Sequence, residues 1–171
     1  PDIVADLLGT PRTAKVVRET KETCITVQIN LDSSGPVHID TGIGFFDHML
    51  EQLGKHAGIA LQVECKGDTH IDEHHTVEDC GIAIGQAFKR ALGDKFGIAR
   101  YGFSLPMDEA SAGVLLDISN RGYFQFKGSF PREAVGTLPT ELVPHFFQSF
   151  SEAAGFIIVL ETPIRGTVDM W

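Results

Sequence analysis

Two stretches decide the fold: FFDHMLEQLGKHAGIALQV, residues 45–63, and LVPHFFQSFSEAAGFIIVL, residues 142–160. Set side by side they place His48 on His145 and Ala57-Gly58 on Ala154-Gly155, at a constant offset of 97. In each, apolar residues at helical spacing run into a glycine and then a short apolar segment, the pattern of a helix that feeds a strand. ETCITVQINL from Glu22 and EASAGVLLDI from Glu109 superimpose likewise, with Val27, Ile29 and Leu31 opposite Val114, Leu116 and Ile118. The chain therefore reads as a duplicated half-domain, against the competing reading that any two amphipathic helix-strand units look alike. The expected divisions are an N-terminal arm over 1–13, a first half-domain over 14–93 and a second over 94–171.

Working outward, Ile25, Val27, Ile29 and Leu31 alternate with polar residues and predict a half-buried strand that DSSGP ends. VHIDTG is a short strand or turn, and IALQVECKGD is a second alternating strand. GDKFGIARYG reads as a Gly-punctuated loop. ASAGVLLDISN and RGYFQFKGSF then read as two strands, the first more apolar and so expected to be more buried. TELVPHFFQSFSEAAG is helical provided that Pro144 lies in its first turn, and FIIVL is a strand.

The chemistry concentrates in DEHHTVEDC, Asp72–Cys80, followed by GIAIGQAFKRAL, whose apolar and small residues carry a helix to Leu92. With the helix starting near His74, His74 and Glu78 lie one turn apart on one face, where a single metal ion can take both. His75 is turned about 100° round the axis and would serve a second ion. The competing reading is a pair of solvated histidines at a helix start, with Glu78 and Asp79 complementing the helix dipole. Applied to the second copy, the repeat offset places another HHxxE near residue 171, where ETPIRGTVDMW contains no histidine.

At 171 residues, 43% hydrophobic and 22% charged, the chain fits one compact domain or two small halves with a shared core. A net charge of −9 argues against nucleic acid or anionic membrane as a partner, while a local basic cluster remains free to hold a phosphate. Cys24, Cys65 and Cys80 form no CxxC and are expected to be reduced core residues. PDIVADLLGTPR is not signal-like and no run reaches membrane-spanning length, so the expected compartment is the cytoplasm, or a plastid after loss of a transit peptide.

TKET, GFFDHMLEQL, KGDTHIDEHHTVED, GIARYGFSLPMDEA, LDISNRGYF and HFFQSFSEAAG, in that order, resemble imidazoleglycerol-phosphate dehydratase of histidine biosynthesis. The resemblance implies an α+β fold of duplicated half-domains, each a four-stranded sheet backed by two helices, with the second copy incomplete here. It further implies a small phosphorylated imidazole substrate and two manganese ions per active site, built at subunit contacts in a large homo-oligomeric assembly of trimers. By position, the implied metal ligands are His48, His74, His75, Glu78 and His145, and the implied substrate contacts are Glu22, Gln52, Arg100 and Arg121. Glu22 and Glu78 are the candidates for proton transfer, and the two arginines resemble those that hold the substrate phosphate. His38, His56 and His70 match no ligand position.

Two departures from the family pattern stand out. Asn120 and Gly122 flank Arg121 where the family more often reads SGRPY, and neither a second HHxxE nor an SSKG-type stretch follows Gly155. A catalytically deficient, shortened form is therefore the alternative expectation, and an unrelated metal-dependent hydrolase is a further one.

Overall fold

The computed structural model describes residues 10–95, 97–107 and 110–161. Residues 1–9 of the expected arm, with their short helical turn, and the tail from residue 162 onward lie outside the described residues. Strands β1 (Thr13–Glu19), β2 (Thr23–Asn30), β3 (Val37–Asp40) and β4 (Ala60–Gly67) form one sheet, in the order β1-β2-β4-β3. Helix α1 (Gly44–Ala57) joins β3 to β4, and α2 (His74–Leu92) follows β4. A second sheet, in the order β5-β6-β10-β7, comprises β5 (Tyr101–Met107), β6 (Ala110–Asp117), β7 (Tyr123–Lys127) and β10 (Ile157–Glu161). Between β7 and β10 lie a small hairpin, β8 (Ala134–Val135) with β9 (Leu138–Pro139), and helix α3 (Leu142–Ala154).

The repeat holds at the level of strand register. Antiparallel pairs Val27↔Val63 and Ile29↔Leu61 in the first sheet become Val114↔Leu160 and Leu116↔Ile158 in the second. The parallel pairs Val37↔Leu61 and Ile39↔Val63 become Phe124↔Ile158 and Phe126↔Leu160. The two equivalent helices, α1 with His48 and α3 with His145, end on a left-handed glycine, Gly58 at φ +64° and Gly155 at φ +72°, the conformation that closes a helix without a Cβ penalty. Pro144 is the third residue of α3, where its missing N–H costs no helical hydrogen bond.

The alternation in β2 buries Thr23, Ile25, Val27 and Ile29 against the helices and leaves Cys24 and Gln28 outside. Helix α2 lies on β1 and β2, α3 lies on β7, and the two helices pack on each other, so a helical layer separates the sheets. Gly81 and Gly85, four apart on α2, make this contact close. A Cβ on Gly81 would stand 2.8 Å from the Phe146 carbonyl oxygen, and one on Gly85 would stand 2.6 Å from that of Phe150. No other residue fits there without moving a backbone.

Asp79, on the same helix, faces the sheet. Its Oδ1 accepts from Arg18 Nε (3.0 Å) and Nη2 (2.7 Å), and its Oδ2 accepts from the Thr23 hydroxyl (2.6 Å). The carboxylate thus ties α2 to β1 and β2, while Asp72, one residue ahead of the N-cap Glu73, accepts from the His74 N–H at 2.6 Å and satisfies one of the free donors at the helix start.

Two expectations are corrected and one holds. Residues 101–107 form β5, an edge strand whose Gly and Pro obscured it in the sequence. ASAGVLLDISN is the more buried of its pair of strands, as expected: from Ala112 to Asp117 only Leu115 is exposed, on the outer face of the sheet, whereas in β7 Tyr123, Gln125 and Lys127 all are. Cys24 also points outward, while Cys65 and Cys80 are buried free thiols as expected.

Gly85→Ala raises helix propensity by about 1 kcal/mol. The crowding at Phe150 should outweigh that gain, lowering stability by roughly 2 kcal/mol in urea unfolding; a stabilised variant would refute close helix contact. Asp79→Ala should cost roughly 2 kcal/mol, less than loss of a fully buried partner because the Arg18 side chain is 30% exposed.

Candidate active site

The face of α2 that carries Gly81 and Gly85 continues, one turn at a time, to Glu78 and His74 at the helix start. The close helix contact therefore delivers both to α3. His74 Nε2 is 3.2 Å from Glu78 Oε2, and its ring centroid is 5.0 Å from that of His145 in the second turn of α3. Two imidazoles and a carboxylate from both halves of the repeat meet at a partly exposed surface. Neutral nitrogen and carboxylate oxygen donors suit Mn²⁺, Fe²⁺ or Zn²⁺. Among the described residues no three His, Cys, Asp or Glu side chains are arranged as the shell of one ion. The donor types fit a divalent metal.

His75 points elsewhere, as the helical spacing requires. Its Nδ1 is 3.2 Å from one oxygen of Asp68 and 3.3 Å from the other, and its ring centroid is 6.3 Å from that of His74. The hydrogen bond to Asp68 pushes the His75 pKa above the ordinary imidazole value. A carboxylate on Nδ1 leaves Nε2 as the free nitrogen, the orientation seen in metal-ligating histidines. Asp68 was not singled out from the sequence; its only signal was its place in KGD, just upstream of the histidines. The Asp68 N–H donates to the Glu22 carbonyl (3.1 Å), so the β1–β2 turn lies against this loop and the Glu22 charge reaches His75.

His48 is exposed on α1 beside Phe45, with ring centroids 6.4 Å apart, and among the described residues no ring contact joins it to His74, His75 or His145. Gln52 is half-buried one turn further along α1. His38, His56 and His70 are exposed.

The cations gather at one end of the second sheet, where β5 and β7 begin and β6 ends. Arg100 grips Asp117 with Nε on Oδ1 and Nη2 on Oδ2, the latter at 3.0 Å. The guanidinium also lies 5.3 Å from the Tyr101 ring centroid. Arg100 holds the Asp117 carboxyl below the usual carboxylate range, and Arg121 and Lys95 add to that effect. Lys95 donates to the Asn120 side-chain oxygen, and burial followed by Lys89 and Arg100 lowers its pKa. Among the described residues no hydrogen bond or ion pair links this cluster to the histidines.

The sequence pattern of the imidazoleglycerol-phosphate dehydratase family matches residues 41–167. A curated relative, the histidine biosynthesis bifunctional protein HisB of Stenotrophomonas maltophilia (strain K279a), is 57% identical over 169 residues, 99% of this chain and 47% of that protein. HisB of Xylella fastidiosa (strain M23) is 53% identical over 90% of this chain and 46% of its own length. The chain thus spans about half the length of the curated relatives it matches. Imidazoleglycerol-phosphate dehydratase of Staphylococcus aureus subsp. aureus N315 superimposes with a TM-score of 0.79 at 38% identity, covering 91% of this chain and 85% of that one. The Pyrococcus furiosus enzyme in complex with (S)-C348 does so with a TM-score of 0.74 at 30% identity, covering 86% and 78%. With its doubled sheet register, the histidines brought together across α2 and α3, and these likenesses, the chain belongs to the imidazoleglycerol-phosphate dehydratase family.

Proposed function

We propose that the chain is the dehydratase part of a histidine-biosynthetic protein that removes water from imidazole glycerol phosphate to give imidazole acetol phosphate. The observation that carries this reading is the meeting of His74, Glu78 and His145 across the α2–α3 contact. The proton to be removed sits on a carbon with no neighbouring carbonyl, so a side-chain base alone has no electron sink to work against. A bound divalent metal, manganese in our reading, would supply a Lewis acid for the substrate imidazole. His74, His145 and Glu78 would hold one ion and His75, oriented by Asp68, another, with His48 and copies of this chain in a homo-oligomer contributing the remainder.

The residues of the chain then have separate tasks. Glu22, on the turn against the Asp68 loop, and Glu78 would be the carboxylates that hold or move a proton. Gln52 would contact the substrate's polar groups. Arg100 and Arg121 would take the phosphate, for which a permanently charged, planar guanidinium is suited.

Turnover with added manganese, followed by formation of imidazole acetol phosphate, tests the reading; a protein that binds manganese and substrate but forms no product overturns it. Glu78→Gln should preserve the fold and weaken Mn²⁺ binding roughly tenfold or more in calorimetry, since an amide is a poorer ligand than a carboxylate. Unchanged affinity would remove Glu78 from the ligand set. Arg100→Ala or Arg121→Ala should weaken a phosphorylated ligand far more than its dephosphorylated analogue, and equal losses would contradict a phosphate role.

A further inference from the structure

The geometry points to Asp117 as the positioning residue of the phosphate site, a group that touches no substrate but holds Arg100 in the orientation that receives the phosphate. The inference rests on the reading of Arg100 and Arg121 as phosphate cations.

A guanidinium presents two edges on which an oxyanion can make two hydrogen bonds, the side edge of Nε and one Nη and the end edge of both Nη atoms. Asp117 takes the side edge, through Nε and Nη2. One face of the same group lies over Tyr101. What remains is the end edge, and the Arg100 side chain is still 50% exposed. The carboxylate therefore orients this arginine without consuming it. The backbone fixes the carboxylate in turn, because Tyr101 and Asp117 are partners in the β5–β6 register and the Ile118 N–H donates to the Arg100 carbonyl at 3.2 Å. Arg121 and Lys95 lie close enough to act electrostatically on Asp117. Asp117 thus also holds together cations that would otherwise repel one another.

This role makes a prediction opposite in sign to simple electrostatics. Removing a negative charge beside an anion site should, by Coulomb attraction alone, tighten anion binding. If Asp117 positions Arg100, Asp117→Asn should loosen it, roughly three- to tenfold, because the free arginine loses its two-point hold.

The test is calorimetric titration of the full chain with inorganic phosphate, with thermal unfolding of each variant run alongside. Weaker binding in Asp117→Asn but no further weakening in the Arg100→Ala/Asp117→Asn double variant relative to Arg100→Ala supports the proposal. A purely structural role would weaken binding in both backgrounds. Asp32→Asn is the control: Asp32 pairs with Arg12 at the matching end of the first sheet and should leave phosphate binding unchanged. If Asp117→Asn does not fold, Asp117→Ser removes the same carboxylate. Unchanged or tighter binding in the Asp117 variant, with Arg100→Ala weakened, overturns the positioning role and leaves the phosphate reading standing. No loss in either Arg100→Ala or Arg121→Ala overturns both.

Discussion

The close approach of α2 to α3 is the constraint on which the candidate site depends. It is set by the two glycines on α2, whose missing Cβ atoms leave room for the carbonyls of Phe146 and Phe150. Each glycine inside a helix costs roughly 0.5–1 kcal/mol relative to alanine. Burial of Ala83, Ile84 and Ala87, with the aromatic contacts of Phe46, Phe146 and Phe150, offsets that cost. The same helical stripe that carries the glycines carries Glu78 and His74, so the packing distance also sets the separation of His74 from His145. A wider interhelical gap would leave the core apolar and the helices intact while separating His74 from His145.

Patterns local in sequence were legible, and pairings between distant residues were not. The histidine-to-histidine offset of 97 anticipated which strand residues would occupy equivalent places, because a repeat conserves both periodicity and spacing. That a helix carries DEHHTVEDC onward was legible in the apolar, Gly- and Ala-rich run GIAIGQAFKRAL that follows it. By contrast, the three carboxylates that organise the charged groups, Asp68, Asp79 and Asp117, have partners 7, 61 and 17 residues away. Nothing in their local surroundings marks them as different from surface acids. Asp79 shows the consequence: it reads as a helix-dipole residue within DEHHTVEDC, yet it lies under Arg18 and Thr23.

The departure at position 120 has a physical account. Asn120 is in the left-handed region at φ +63°, where glycine is free of strain and asparagine is the side chain that tolerates it best. A glycine or an asparagine at this position would satisfy the same backbone requirement. Asparagine adds what glycine lacks, an acceptor for the Lys95 ammonium. Lys95 is itself left-handed, at φ +64°, a costlier conformation for a long side chain. Two uncommon backbone conformations are therefore joined by their side chains beside the arginine cluster.

Comparison of the two halves shows what duplication kept and what it changed. Arg12 precedes β1 as Arg100 precedes β5, and in each half the residue after the paired strand donates its N–H to that arginine's carbonyl, Leu31 at 2.9 Å and Ile118 at 3.2 Å. Each arginine is also held by a carboxylate, Arg12 by Asp32 and Arg100 by Asp117. The strand-end arginine with its acid is thus common to the two copies. In the first copy, however, the turn that follows is DSSGP, with no cation, whereas the second has Arg121 in SNRG and Lys95 reaching in from the loop after α2. In a chain of net charge −9, one neutralised arginine has little pull on a phosphate, but several cations sharing one carboxylate do. The histidines at 48 and 145 stand at equivalent places in both copies, while a cluster of several cations occurs in one, so the two halves share a scaffold and differ in the charged groups they carry.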